Sequence, residues 1–314
     1  MRAAASLVEL LNICDRSLFL GDLDVICGEY ERISYYENIG SATKPQFVLR
    51  AGGADPFDGI NFGRSDGFNP ALADLDGDSD LDLLVGEATG SLKYYENVGS
   101  ARLAQFVASA NPFEGITVAE YSAPRFIDLD GDSDLDLVVG ADDGAITFYE
   151  NKWIGVVAPE FVRRTGDSTF GFVEIDTSYD KESQGMGLST PTLIDYDGDN
   201  DLDVVVGHVY YNFGGDDTSA DEALLATDAL YFYENVGGAE APEFSKKKTG
   251  SENPFASVDA WGLSAAALGD LDADGDFDLV LGNMDGSLFY YENVGSAAAT
   301  FVARLARANP MFKF

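Results

Sequence analysis

Two cysteines, one histidine and only 19 basic residues in a chain of 314 narrow the reading first. Cys14 and Cys27 are too few for a disulfide framework, their spacing matches no metal site, and they read as buried thiols. With His208 the single histidine, no His-Glu-x-x-His motif or Cys/His cluster can be assembled. Neither a Ser/His/Asp order nor a phosphate loop is present. The bases face 55 Asp and Glu, a net charge of −36, and are scattered in short groups such as Lys246, Lys247 and Lys248. Nucleic acid is not expected as a partner, because a strand needs a basic stripe to displace its counterions. An anionic membrane surface is disfavoured by the same repulsion. No apolar run reaches about 18 residues, which argues against a membrane-spanning helix. The first 14 residues are similar to a short signal peptide, but Glu9 interrupts the apolar run and no clear cleavage site follows.

What the chain does have is 46% hydrophobic and 12% aromatic residues, enough to build a packed core in spite of the charge. It also repeats. Tyr-Glu-Asn recurs at Tyr36–Asn38, Tyr95–Asn97, Tyr149–Asn151, Tyr233–Asn235 and Tyr291–Asn293. Upstream of each copy lies a short apolar run ending in glycine: Asp24–Gly28, Asp82–Gly86, Asp136–Gly140, Asp203–Gly207 and Asp278–Gly282. These runs are rich in β-branched residues and bounded by turn residues, so they read as buried strands. Between run and repeat stand Asp143-Gly144 and Asp285-Gly286, which predict a type I′ hairpin. After each Tyr-Glu-Asn a glycine turn leads to Phe47, Phe106, Phe161, Phe244 or Phe301, the start of a fourth, outer strand.

Four strands per unit, repeated around an axis, predict an all-β fold, a β-propeller of four-stranded blades. Residues 1–15 are expected to form an N-terminal extension, and residues 16–314 a single propeller domain. The expected blade units are 299–314 plus 16–40, then 41–99, 100–153, 154–237 and 238–298. In this scheme residues 299–312 supply the outer strand of the blade begun by residues 16–38, so N- and C-terminal strands close five blades into a ring without an open edge. The rival is a piece of a larger ring, roughly six to eight blades.

Four of the five units carry an acidic nonapeptide ahead of the glycine-ended run. Its acids are Asp74, Asp76, Asp78, Asp80 and Asp82; Asp128, Asp130, Asp132, Asp134 and Asp136; Asp195, Asp197, Asp199, Asp201 and Asp203; and Asp270, Asp272, Asp274, Asp276 and Asp278. Carboxylates this dense repel one another, and a hard cation such as Ca2+, which takes six to eight oxygens, removes the repulsion. Positions 1, 3, 5 and 9 suit side-chain ligation and position 7 a backbone carbonyl, while glycine at 4 or 6 permits the bend. An EF-hand would need Glu at position 12, where Val85, Val139, Val206 and Leu281 stand.

Loop, glycine-ended strand and hairpin together resemble the FG-GAP repeats of integrin-α-like propellers and the related VCBS-type repeats. The resemblance covers nearly the whole chain. It implies about four calcium ions, each in the loop joining the first and second strands of a blade, and ligand binding on the opposite face. The fourth loop matches the integrin-like spacing best, with Gly275 at position 6; Gly77, Gly131 and Gly198 stand at position 4, as in many VCBS-type repeats. The first unit departs, because Arg16, Leu18 and Leu20 occupy positions 1, 3 and 5 although Asp22 and Asp24 remain. No ion is expected there. Weak calcium sites of the extracellular kind imply an extracellular or luminal location.

Irregularity marks the expected ligand site. The second unit has five residues, Glu87 to Ser91, where the fourth has twenty-two, His208 to Ala229. That insertion brings His208, Tyr210, Tyr211, Phe213, Asp216 and Asp217 as candidate ligand-binding residues. The segment before the same unit is also extended, with Arg163, Arg164, Phe170, Phe172, Asp180 and Lys181. Long loops on a rigid scaffold are where binding is usually found. The expected function is a non-enzymatic recognition or adhesion module for a protein or carbohydrate ligand. The alternatives are a structural subunit of a larger assembly and a polysaccharide-active enzyme. Abundant acids are weak evidence for the last, since the loops account for 20 of the 55.

Overall fold

The computed structural model describes residues 7–11, 23–29, 32–41, 43–63, 67–101, 103–152, 160–164, 189–208, 230–238, 242–247, 252–258, 264–283, 288–295 and 299–304. They form five antiparallel four-stranded sheets, each in simple chain order. Blade 1 is β1 (Leu7–Leu11), β2 (Asp24–Gly28), β3 (Ile33–Asn38) and β4 (Phe47–Leu49). Blade 2 is β5 (Phe68–Ala73), β6 (Asp82–Glu87), β7 (Leu92–Asn97) and β8 (Phe106–Ala108). Blade 3 is β9 (Ala123–Ile127), β10 (Asp136–Gly140), β11 (Ile146–Asn151) and β12 (Phe161–Arg164). Blade 4 is β13 (Ser189–Ile194), β14 (Asp203–His208), β15 (Leu230–Asn235) and β16 (Phe244–Lys247). Blade 5 is β17 (Ser264–Gly269), β18 (Asp278–Asn283), β19 (Leu288–Asn293) and β20 (Phe301–Ala303). Among the described residues, no helix is long and apolar enough to cross a membrane.

The blades stand as a five-membered β-propeller, with one apolar cluster at each blade-to-blade interface. Ile26 and Tyr35 of blade 1 pack with Leu83 and Val85 of blade 2. Leu84 and Tyr94 meet Leu137 and Val139. Val138 and Phe148 meet Val204 and Val206, and Val205 and Phe232 meet Leu279 and Leu281. The ring closes where Val25, Cys27 and Phe47 of blade 1 meet Val280, Leu288 and Tyr290 of blade 5. Ala123 of the third blade's inner strand packs with Ala265 of the fifth's.

Three expectations change here. β20 pairs with β19 of its own unit, and Phe47 of β4 pairs with Asn38 of β3. Among the described residues, 299–304 therefore do not give the first blade its outer strand; blade 1 uses its own β4 and takes its inner strand from Leu7–Leu11, inside the expected extension. Each blade is contiguous in sequence, which keeps loop closure short, and the ring is sealed by side-chain packing rather than by a swapped strand. The hairpin after β10 also differs. Gly144 lies at φ 83° with its N–H on the Ala141 carbonyl at 3.2 Å, and Asp143 is not at positive φ. This is a type I turn followed by a left-handed glycine, which needs one positive φ where a type I′ turn needs two. Residues 285–286, the other expected turn, lie outside the described residues.

The glycines that end the apolar runs of blades 1 to 3 have a packing reason. A Cβ on Gly28 would stand 1.6 Å from the Phe68 carbonyl oxygen, and on Gly86 2.0 Å from that of Ser122. The next blade's inner strand passes that close to the backbone. The corners between blades are wedged in the same way: Phe57 stacks on Phe106 at 5.4 Å, Phe113 lies 4.8 Å from Phe161 and Phe255 stacks on Phe301 at 5.1 Å. Asx turns aim these wedges, with Asn111 Oδ1 accepting the Phe113 N–H and Asn253 Oδ1 that of Phe255.

Candidate metal centre

Each acidic nonapeptide joins the first and second strands of its blade, so residues 74–82, 128–136, 195–203 and 270–278 share one end of the ring. The loops wind around the carboxylate at position 1. Asp74 accepts the N–H of Gly77 at 2.9 Å and of Ser79 at 3.1 Å. Asp128 does the same for Gly131 and Ser133 at 2.8 and 3.1 Å, and Asp195 for Gly198 and Asn200 at 2.8 and 3.1 Å. Asp270 accepts from Asp274 and Gly275, both at 3.2 Å. Positions 3 and 5 each accept the N–H two residues on, as Asp76 does from Asp78 and Asp78 from Asp80.

This winding puts both position 4 and position 6 in the left-handed region. Gly77 is at φ 80° and Ser79 at 73°, while in the last loop Ala273 is at 58° and Gly275 at 96°. One glycine per loop therefore relieves only half of the strain; Ser79, Ser133, Asn200 or Ala273 carries the rest.

The result is convergence of oxygen atoms. Carboxylate oxygens of Asp74, Asp76 and Asp78 lie within 4.8 Å of one another, as do those of Asp128, Asp130 and Asp132, of Asp195, Asp197 and Asp199, and of Asp270, Asp272 and Asp274. Position 7 joins them through its side chain. Asp80 and Asp201 are only 7% and 8% exposed, and Oδ1 of Asp80, Asp134 and Asp201 has no hydrogen-bond partner. Each is packed against the position-5 carboxylate, with the other loop acids around it. In the last loop the partnerless oxygen is Asp272 Oδ1. Burial first, and neighbouring carboxylates second, push Asp134 and Asp201 up to about 6. Asp76, Asp130, Asp197 and Asp272 are also raised, again chiefly by burial. Buried acid oxygens facing one another with no donor between them fit a hard divalent cation.

Position 9 has a different place. Asp82, Asp136, Asp203 and Asp278 open the second strand and are at most 2% exposed. One oxygen of each accepts the N–H of the asparagine in Tyr-Glu-Asn: Asn97, Asn151 and Asn235 at 2.8 Å, and Asn293 at 2.9 Å. The other accepts the N–H of loop position 2, from Leu75, Leu129, Tyr196 or Leu271. Burial raises these groups, Asp82 and Asp278 to about 6 and Asp136 and Asp203 to about 7, with the N–H bonds opposing it. Asp24 makes the same bond to Asn38 at 2.7 Å in the blade whose loop lacks the acids of positions 1, 3 and 5. The pair is thus a clasp between strands, and its persistence in the first unit was the signal for it. The asparagine continues the clasp: Asn97 Oδ1 accepts the N–H groups of Gly99 and Gln105, folding the turn into the outer strand.

His208 is the last residue of β14, opposite Ser189. Tyr210, Tyr211, Phe213, Asp216 and Asp217 lie outside the described residues, as do Cys14 and Arg16 to Asp22. Cys27 is a free thiol whose burial pushes its pKa up.

Fold and loops together define an acidic-loop β-propeller. The FG-GAP-like repeat family matches residues 74–139 and 128–206, from the second blade's loop to the glycine-ended strand of the fourth. The chain is a five-bladed β-propeller that carries FG-GAP-like repeats over residues 74–206. No curated protein matches it. Among solved structures, a lectin of Agrocybe aegerita described for specific recognition of non-reducing terminal N-acetylglucosamine is similar, at 15% identity and a TM-score of 0.43 over 97% of this chain and 67% of that one.

Proposed function

We propose that this propeller is a calcium-stabilised recognition module, not an enzyme, for a protein or carbohydrate ligand. The observation that carries the calcium reading is the partnerless buried oxygen in each loop, at position 7 in three loops and position 3 in the last, beside the converging acids of positions 1, 3 and 5. Those residues would hold the ion, which would supply charge neutralisation and fix the loop. The recognition reading is supported by the way the regular polar groups are engaged within the ring, as clasps and as pairs such as Arg304 with Glu292. The irregular sequence, 208–229 and 165–188, links strand ends, His208 to Leu230 and Arg164 to Ser189, that lie away from the acidic loops. Weak sites of this type suit a calcium-rich extracellular or luminal compartment. Exposed Leu49, Val107, Val162 and Val302 along the outer strands favour, as a second reading, a structural subunit of a larger assembly.

Calorimetric titration of the chelator-stripped protein with Ca2+ tests the first part, and heat of binding with a rise in melting temperature is expected. For the second, pull-downs in calcium compare the intact chain with one whose residues 209–228 are replaced by a short glycine-containing turn. A ligand kept only by the intact chain supports recognition through the insertion. Equal retention by both moves the weight to the regular blade surfaces and the structural reading.

A further inference from the structure

The four loops are nearly identical in sequence, yet their surroundings differ in charge. The glutamate of Tyr-Glu-Asn sits beside the loop, because the asparagine after it is bonded to the loop's last residues: Asn97 donates to the Leu81 carbonyl at 3.3 Å as well as to Asp82. Its charge reaches position 3, with Glu96 acting on Asp76, Glu234 on Asp197 and Glu292 on Asp272.

In four blades that glutamate is neutralised. Glu37 pairs with Arg50, Glu234 with Lys247, Glu292 with Arg304 at 2.6 Å, and Glu150 with both Lys152 and Arg164. Arg164 and Lys247 stand opposite Phe148 and Phe232, and Arg50 and Arg304 follow Leu49 and Ala303 at the matching register. The base therefore occupies one fixed place at the end of the outer strand. In blade 2 that place falls on Ser109, next after Ala108, and Ser109 is exposed. Among the described residues no cation pairs with Glu96.

We propose that the loops are graded cation sites, and that the second-blade loop, Asp74, Asp76, Asp78 and Asp80 backed by the uncompensated Glu96, takes a divalent cation ahead of the other three. The third-blade loop, whose Glu150 has two bases, fills last. The inference rests on the calcium reading, and a partnerless, 7% exposed Asp80 gives the second-blade site an inward-facing ligand independent of Glu96. One extra charge at the edge of such a site changes the affinity for a divalent ion by roughly tenfold.

Calorimetry of the intact chelator-stripped protein with Ca2+ decides it. The wild type is expected to show one tight event before a set of weaker ones. Glu96→Gln should weaken that event about tenfold and leave the others, and Ser109→Arg should do the same by supplying the missing base. Arg304→Ser should create a second tight event by freeing Glu292. Unchanged titrations in all three variants would overturn the grading and leave calcium binding intact. No binding to the wild type would overturn the calcium reading itself. Melting in chelator confirms that each variant is folded, and Ser109→Arg, on an exposed position, keeps the test open if Glu96→Gln is not.

Discussion

Asp24 and Asn38 show the clasp in a unit whose sequence has no acid at loop positions 1, 3 and 5. Asp24 accepts the Asn38 N–H at 2.7 Å and the Tyr35 hydroxyl at 2.7 Å, and all three residues are buried. Replacing Asp24 with alanine strands two buried donors, so a loss of about 2–4 kcal/mol is expected, equal in calcium and in chelator. Urea unfolding under both conditions checks this, and a loss seen only in calcium would mean that Asp24 serves an ion after all. A second residue-scale expectation concerns Gly86, whose alanine methyl would stand 2.0 Å from the Ser122 carbonyl oxygen of the next blade. Neither backbone can retreat without opening the interface. Gly86→Ala should cost at least about 2 kcal/mol, read from the same unfolding curves.

At the scale of the element, the loop balances local strain against carboxylate convergence. Ala273, at φ 58°, has no side chain able to bond its own backbone, unlike Asn200 at 71° in the equivalent loop of blade 4 at position 6. A left-handed alanine costs about 1–2 kcal/mol and glycine returns about 0.5–1 of that as chain entropy. Ala273→Gly is thus expected to stabilise the metal-free protein by about 0.5–1 kcal/mol, and Asn200→Gly by less. Denaturant midpoints in chelator test the order. The loops and the Tyr-Glu-Asn strands were readable in sequence because their chemistry recurs at fixed offsets, in residues adjacent along the chain. What was not readable depends on pairing across strands. The Phe47 strand follows one Tyr-Glu-Asn and precedes the next unit, and only the Asn38–Phe47 register assigns it to the earlier blade. Asp82 reads within its acidic run only as a fifth ligand, and its second task, the bond to Asn97 fifteen residues on, becomes visible only in the fold. The bases that neutralise Glu37, Glu234 and Glu292 become visible only once the outer-strand register is known.

For the whole molecule, the buried acids tie stability, pH and calcium together. In the metal-free fold Asp134 and Asp201 are raised to about 6 and Asp136 and Asp203 to about 7, chiefly by burial. Unfolded aspartate ionises near 3.9, so between about pH 4 and 7 the folded chain binds more protons than the unfolded one. That contribution is full below about pH 4 and is lost as pH rises through 6 to 7, so the metal-free protein becomes less stable toward neutrality. On the calcium reading the sign reverses, because an ion held by the loops would bind ionised acids and compete with protons for their oxygens. The calcium-induced rise in melting temperature should therefore be small at pH 5 and largest above pH 7. Net charge of −36 works in the same direction through self-repulsion. The two are separable with 1 M NaCl, where the Debye length falls to about 3 Å: surface repulsion is screened, whereas the buried acids, Asp80, Asp201 and those of position 9, are screened much less. Melting curves at pH 5, 6 and 7.5, with and without calcium, in low and high salt, make the test. A calcium shift that grows with pH in both salts supports the loops as the coupled element, and a shift independent of pH, or one abolished by salt, assigns the pH response to the surface instead.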